Sequence, residues 1–216
     1  MNINQAQINM LKQQLRTWHV PSDTVLSVIA KTPRNLFVPN SFEHLAFTDI
    51  CIPLSHQQFM LTPREEAWIL DALALEPFHH VLEIGTGSGY FTALLAQMAL
   101  KVDTIDIFPD FIKEAEYKLN SLDVRNVHFA TADALSLETT TTYDAVVITG
   151  SLPFLPNRFR SMVTRGGRLL AIVGVAPVMT VLQLNYTHDR NWQEVKLFET
   201  VVAPLIHAPS DRLFRF

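Results

Sequence analysis

The sequence predicts a doubly wound α/β fold over residues 1–216: a mostly parallel sheet with an N-terminal helical extension and an antiparallel C-terminal edge. Three observations carry this. Short apolar runs alternate with helical stretches from Val81 to Thr149, as a parallel sheet covered on both faces requires. A glycine-rich turn, Gly85-Thr86-Gly87-Ser88-Gly89, joins the first of those runs to a helix. The 216 residues, 48% hydrophobic and 18% charged, can bury a core without disulfide or metal staples.

Residues 1–75 read as a mostly helical cap on the acceptor side, and 76–216 as the cofactor-binding core. Ile8, Leu11 and Leu15 recur at helical spacing. A second helix runs from about Ser22 to Ala30, begun by Pro21-Ser22 and closed by Pro33. From Phe37 to Phe59 the pattern is irregular, broken by Pro39 and Pro53. Thr62 then suits an N-cap, with Pro63 as the first helical position. In the core, strands are expected at Val81–Ile84, Val102–Ile107, Val127–Phe129, Tyr143–Thr149 and Arg168–Val173, with helices at Tyr90–Ala99 and Phe111–Ser121. Gly166-Gly167 marks a tight turn before the fifth strand. Val181–Tyr186 and Trp192–Phe198 predict the antiparallel edge pair.

Composition excludes several function classes. A net charge of -4 with pI near 6.0 argues against a nucleic-acid binder, which needs a basic surface. No run approaches the roughly 18 apolar residues of a membrane span. Met1–Leu15 is rich in Gln and Asn and lacks the apolar centre of a signal peptide, so a soluble, cytoplasmic protein is expected. The single cysteine, Cys51, precludes an internal disulfide and reads as a small buried apolar residue. No His/Cys/carboxylate cluster has metal-ligand spacing, and His79-His80 precede the first strand, away from the glycine turn. No metal is expected.

The strongest chemical signal is Val81-Leu82-Glu83-Ile84-Gly85-Thr86-Gly87-Ser88-Gly89-Tyr90. Dinucleotide enzymes use G-x-G-x-x-G and seat a pyrophosphate on the following helix end. Here the spacing is G-x-G-x-G behind an acid, Glu83, which would repel a pyrophosphate and favour a ligand carrying ammonium and sulfonium groups. S-adenosyl-L-methionine is such a ligand. Asp106 ends the second strand about twenty residues on, where a carboxylate reaches ribose hydroxyls. Asp133, after the third strand, is placed to accept from an adenine amino group. Glu83, Gly85, Thr86, Gly87, Gly89, Tyr90, Asp106, Ile107, Asp133, Ala134 and Thr149 are therefore the expected cofactor contacts. The fold expected is a Rossmann-like class I methyltransferase; the glycine spacing disfavours an NAD-binding dehydrogenase.

Beyond this loop, Arg34-Asn35-Leu36-Phe37-Val38-Pro39, Ile52-Pro53-Leu54, Asn126-Val127, Tyr143 to Thr149, Gly166-Gly167-Arg168-Leu169 and Pro204-Leu205 join the glycine loop and Asp106 as one recurring set. In these pieces the chain resembles the protein-L-isoaspartate O-methyltransferase family over most of its length. The resemblance implies a cytosolic enzyme that methylates the α-carboxylate of L-isoaspartyl residues in damaged proteins. The ester then closes to a succinimide, which hydrolyses partly to aspartate. One segment departs from the family. A Gly-Gln-Thr-(Ile/Met)-Ser run is replaced by Gln57-Gln58-Phe59-Met60-Leu61, which keeps Gln58 but puts Leu61 at the position of the active-site serine. Asp106 stands where bacterial members commonly carry Glu, and Ala134 replaces a Gly.

A carboxylate acceptor is ionised at neutral pH and needs no general base, so loss of a serine removes a polar anchor without forbidding the chemistry. Phe59, Met60 and Leu61 would make the acceptor side apolar. A hydroxyl acceptor would need a base, for which His56 is the candidate and His207 a weaker one; Ser151, beyond the fourth strand, is placed to face the acceptor. Three readings follow: a methyltransferase for isoaspartyl proteins and peptides, a methyltransferase for a more apolar small molecule, or a cofactor-binding protein without turnover. The expected assembly is a monomer or homodimer without nucleic-acid or membrane partners.

Overall fold

The computed structural model describes residues 3–16 and 21–209. Seven strands form one sheet: β3 (His80–Ile84), β4 (Lys101–Asp106), β5 (Val127–Thr131), β6 (Tyr143–Leu152), β7 (Val163–Val175), β8 (Val178–Tyr186) and β9 (Trp192–Thr200). A separate short hairpin pairs β1 (Ile52–Pro53) with β2 (Phe59–Met60). The order across the large sheet is β5-β4-β3-β6-β7-β8-β9. Strands β5 to β7 are parallel, and β8 and β9 close the edge antiparallel, as the C-terminal alternation predicts. The order in which successive strands are added reverses between the parallel neighbours β3 and β6, where Ile84 at the end of β3 pairs level with Ile148. Open α/β sheets bind ligands at that switch point.

Burial explains the pattern. Val81, Val102, Ala145 and Val147 enter one core, and Leu82, Ile105, Val146 and Ile148 the other, so each strand is apolar on both faces. The first core lies beneath the N-terminal helices, α3 (Pro63–Leu73) and α4 (Tyr90–Ala96). Thr62 caps α3 as predicted: its hydroxyl accepts from Glu65 N, and the Glu65 carboxylate accepts from Thr62 N. Ser22 likewise caps α2 (Asp23–Lys31). Helix α5 (Pro109–Ser121) follows β4, and the short α6 (Asn157–Arg160) precedes β7.

Three expectations are corrected. Helix α1 (Ile3–Asn9) runs on as a π-helix from Met10 to Leu15. The wider turn shifts the buried stripe to Ala6, Met10 and Leu15, leaving Ile8 42% exposed. Gly166-Gly167 does not precede β7 but lies inside it, at a bulge against β6. Gly166 is at φ +89°, and a Cβ on Gly167 would meet the Asp144 carbonyl at 2.7 Å. Helix α4 stops at Ala96, one turn short of Ala99.

The irregular stretch before α3 contains three 3-10 turns, Arg34–Leu36, Asn40–Leu45 and Ser55–Gln57, and the β1–β2 hairpin. It is tied down by Arg34, which is wholly buried. Its guanidinium donates to Ala46 O (2.7 Å), Leu61 O (2.7 Å) and Glu66 (3.1 Å). Among the described residues no helix is long and apolar enough to cross a membrane.

Removing Arg34 strands the buried Glu66 carboxylate and two carbonyls. Arg34→Ala is expected to lose about 3–5 kcal/mol of unfolding free energy, the usual cost of breaking a buried pair. Urea denaturation measures this, and a loss under about 1 kcal/mol, typical of exposed pairs, would contradict the role given to Arg34.

Candidate active site

A cavity of about 430 Å³, within the usual range for small-molecule sites, opens at the carboxyl ends of β3, β4 and β6. One wall is the glycine loop. Gly85 sits at φ +100°, where a side chain would be strained and its Cβ would strike the Thr149 hydroxyl. That hydroxyl lies 2.8 Å from Gly85 O and 3.1 Å from Ile84 O, clamping the loop to the end of β6. Gly89, at φ +82°, lets the loop press on α5, where a Cβ would meet that of Ala115 at 2.7 Å.

Asp106 forms the next wall. Its two oxygens accept from Gly87 N (2.9 Å) and Phe108 N (3.0 Å). Each oxygen keeps a further lone pair for a ligand hydroxyl. Burial pushes its carboxyl above the ordinary value, against the pull of these backbone N–H groups. Asp133 accepts from Leu135 N (2.9 Å) and faces His207 Nδ1 (2.9 Å). Partial burial would raise its carboxyl, but the His207 and Leu135 hydrogen bonds outweigh that and hold it below the usual range.

Of the expected cofactor contacts, Gly85, Thr86, Gly87, Asp106, Ile107, Asp133, Ala134 and Thr149 line this cavity, while Glu83, Gly89 and Tyr90 do not. Tyr90 turns under the cap, edge-on to Phe37 and beneath the Arg34 guanidinium. Glu83 lies wholly buried below the loop. Its Oε2 accepts from Thr92 (2.5 Å) and Thr104 (2.6 Å), and Thr104, its proton so committed, accepts from Thr86 (2.6 Å). Glu83 Oε1 has no partner. Burial pushes the carboxyl up to about 8 despite the two hydroxyls, so at neutral pH it is mostly protonated. The negative charge lies instead at the cavity: the described lining residues include Asp106 and Asp133, and a Glu66 paired to Arg34, but no Lys, Arg or His. Such a site repels a pyrophosphate and accommodates a cation.

Gln58, Phe59, Met60 and Leu61, the segment expected to face the acceptor, lie on β2 and its flanks, and all four line the cavity. Leu61 and Met60 are buried, whereas Phe59 is 53% exposed. His56 is not in the lining; its Nε2 lies 2.8 Å from Asp110 and its ring stacks on Phe108. Ser151 is buried and lies outside the lining, its hydroxyl donating to Val202 O (3.2 Å). Cys51 is exposed where burial was expected, at the edge of the cavity. Partial desolvation and the nearby Glu65 and Glu66 push its thiol up to about 11, which keeps it protonated. Sequence reasoning missed the wall formed by Val201 to Ile206, held to β6 through Ser151 N–Ala203 O and Leu205 N–Ser151 O. It also missed Phe91, Phe108 and Phe111. The Pro204-Leu205 pair was the one available signal for that wall.

Comparison with known proteins decides the family. Residues 4–208 match the model of the protein-L-isoaspartate(D-aspartate) O-methyltransferase family. The chain belongs to this family. It is accordingly an S-adenosylmethionine-dependent methyltransferase of the Rossmann-like class. A protein-L-isoaspartate O-methyltransferase of Herpetosiphon aurantiacus is 31% identical over 213 residues, 95% of each chain. One from Gloeobacter violaceus is 36% identical over 166 residues, 76% of this chain and 81% of its own. The fold matches a Plasmodium falciparum structure of this type, solved with S-adenosyl-L-homocysteine, at TM-score 0.78 and 15% identity, over 95% of this chain and 98% of that one. The cavity fits the family's cofactor: glycines leave room on one side, acids stand at two strand ends, and no basic residue is in the described lining.

Because the folded protein holds a proton on Glu83 that the unfolded chain gives up near pH 4.5, Glu83 makes stability fall as pH rises from about 4.5 to 8. Glu83→Gln removes that component, so the melting temperature of the cofactor-free variant should gain on the parent across this window, by an amount reflecting a few kcal/mol at its upper end. Parallel curves for the two proteins would refute the assignment.

Proposed function

We propose that this chain transfers a methyl group from S-adenosylmethionine to the α-carboxylate of isoaspartyl residues in proteins and peptides. The observation that carries this reading is the composition of the cavity, whose described lining offers no histidine or lysine to deprotonate an acceptor. Glu66 is the one acid on the acceptor side, and it faces Arg34 with both oxygens. An acceptor that arrives already ionised suits such a site. Family membership supports the same substrate, since the relatives compared bear this name. The cofactor supplies an electrophilic methyl on a sulfonium. The protein's part is to bind, align and exclude water.

In this reading Asp106 takes the ribose hydroxyls and Asp133 the adenine amino group. Gly85, Thr86 and Gly87 border the methionine end, with Ile107, Ala134 and Thr149 beside them. Gln58 and Leu61 border the acceptor. Residues 1–75 act as the acceptor-side cap and 76–216 as the cofactor core, in an enzyme of the cytoplasm. The exposed Phe59 beside Met60 and Leu61 favours a second reading, a small apolar carboxylate as acceptor.

Methyl transfer from radiolabelled S-adenosylmethionine to an isoaspartyl peptide, against the same peptide with aspartate, tests the proposal. Label should enter the isoaspartyl peptide alone. Tight cofactor binding without any transfer to it would move the assignment to another acceptor. Leu61→Ser is expected to lower the peptide KM by about tenfold, the worth of one net hydrogen bond. Asp106→Ala should weaken cofactor binding by about 10- to 100-fold in a calorimetric titration, as loss of a charged hydrogen-bond partner does; unchanged affinity would remove Asp106 from the site.

A further inference from the structure

The loop carrying the acceptor wall is built against local preference. His56 and Gln57 both adopt left-handed backbone conformations, at φ 56° and 57°. Such conformations favour glycine and persist in other residues when their surroundings over-determine them. Gln57 even occupies the glycine position of the run that this segment resembles.

The side chain of His56 supplies the determination. Its Nε2 lies 2.8 Å from Asp110 Oδ2 in the first turn of α5. Its ring stacks on Phe108, with centroids 4.0 Å apart and planes 3° from parallel, and meets Phe111 edge-on at 5.4 Å. Phe108 and Phe111 line the cavity on the cofactor side, and Phe108 N donates to Asp106. One imidazole therefore bridges the acceptor loop to the wall that bears Asp106. The next turn of chain depends on it: Gln58 donates its side-chain amide to His56 O (3.1 Å), and Gln58 and Leu54 close the hairpin through their backbones.

We propose that His56 is a positioning residue for methyl transfer, clasping Phe108 and Asp110 so that the loop 55–61 holds the acceptor at a fixed distance from the methyl donor. It does not act as a base: it lies outside the cavity lining, with Nε2 committed to Asp110. In-line displacement is sensitive to small misplacements of the acceptor, which gives a clasp at this position kinetic weight.

The kinetic part of the test rests on the isoaspartyl assignment; the structural part does not. Parent, His56→Ala, Asp110→Ala, the double variant and His56→Gln are compared with S-adenosylhomocysteine bound. Hydrogen exchange is followed at the Leu54 and Gln58 amides, which bond to Gln58 O and Ser55 O. Exchange should quicken by about tenfold in either single variant and no further in the double, as expected for two halves of one contact. The kcat for the peptide should fall by about tenfold with KM changed less, as a misaligned acceptor requires, S-adenosylhomocysteine affinity should stay within about threefold, and His56→Gln, able to donate to Asp110, should recover part of kcat. Unchanged exchange in both single variants, or effects that add in the double, would overturn the clasp. So would a fall in kcat of about 100-fold with exchange unaltered, the signature of a lost general base. If the parent methylates no isoaspartyl peptide, the substrate assignment fails alone, and exchange still decides the clasp.

Discussion

Arg34 sits where water does not reach, between the irregular N-terminal segment and α3, and the segment that carries Leu61 is organised around it. The stretch from Phe37 to Leu61 has little regular structure of its own: the 3-10 turns Asn40–Leu45 and Ser55–Gln57 and a hairpin of two-residue strands. Its shape must come from outside. Arg34 donates near the middle of that stretch, at Ala46 O, and at its end, at Leu61 O, while its charge is matched by Glu66 on α3. A buried guanidinium is tolerated when its hydrogen bonds are met, and here the backbone meets two of them. The carbonyl of Leu61 is thereby fixed relative to α3, and with it the side chain at the acceptor position. The same guanidinium lies 5.3 Å from the Tyr90 ring, at the start of the helix after the glycine loop, so both halves of the site share one brace.

The cofactor half uses a second buried charged residue in the opposite way. No cation faces Glu83 among its described contacts; it is neutralised by a proton and bonded to hydroxyls. The chain Thr86–Thr104–Glu83–Thr92 links the loop to β4, β3 and α4 beneath the ligand rather than against it. The charge that a cationic ligand would meet comes from Asp106 and Asp133 in the cavity lining, since the Glu66 carboxylate is matched by Arg34. Separating the two jobs has a physical logic. A neutral, hydrogen-bonded support holds its geometry whether or not a cation is present, whereas a carboxylate serving as both support and partner would shift its preferences with every binding event.

Most of the sheet was legible because strands buried on both faces read as apolar runs, and the glycine loop announces itself by spacing. The direction of individual side chains was not. Glu83 follows Val81 by two residues and so shares its face, toward α4; the motif fixes its place at a strand end but not its distance from the ligand. Ile8 fits helical spacing, but the π-helical turn rotates it into solvent. The Val201 to Ile206 wall is fastened through backbone groups to Ser151, and hydrogen bonds of that kind leave no residue-type signature. His56 shows the limit of reading residue type as role: a histidine in an active-site loop suggests a base, and its contacts with Asp110 and Phe108 make it a structural bridge.

The substitution of leucine for a serine at the acceptor position carries two opposed consequences, and their balance bears on the substrate. Under the proposed function, loss of a hydroxyl at position 61 would remove one hydrogen bond to the acceptor, a cost on the order of 1 kcal/mol. Against this, transfer from a sulfonium to a carboxylate consumes one positive and one negative charge, so its transition state is less charged than the ground state. Surroundings of low polarity disfavour the separated ions more than the transition state, because charge is worth more there than in water. Phe59, Met60 and Leu61, with Phe108 and Phe111 opposite, provide such surroundings. A hydroxyl acceptor gains nothing comparable: deprotonating it in an apolar pocket creates charge that the wall cannot solvate. The departure from the family run is thus one that an ionised carboxylate tolerates better than any acceptor that must first lose a proton.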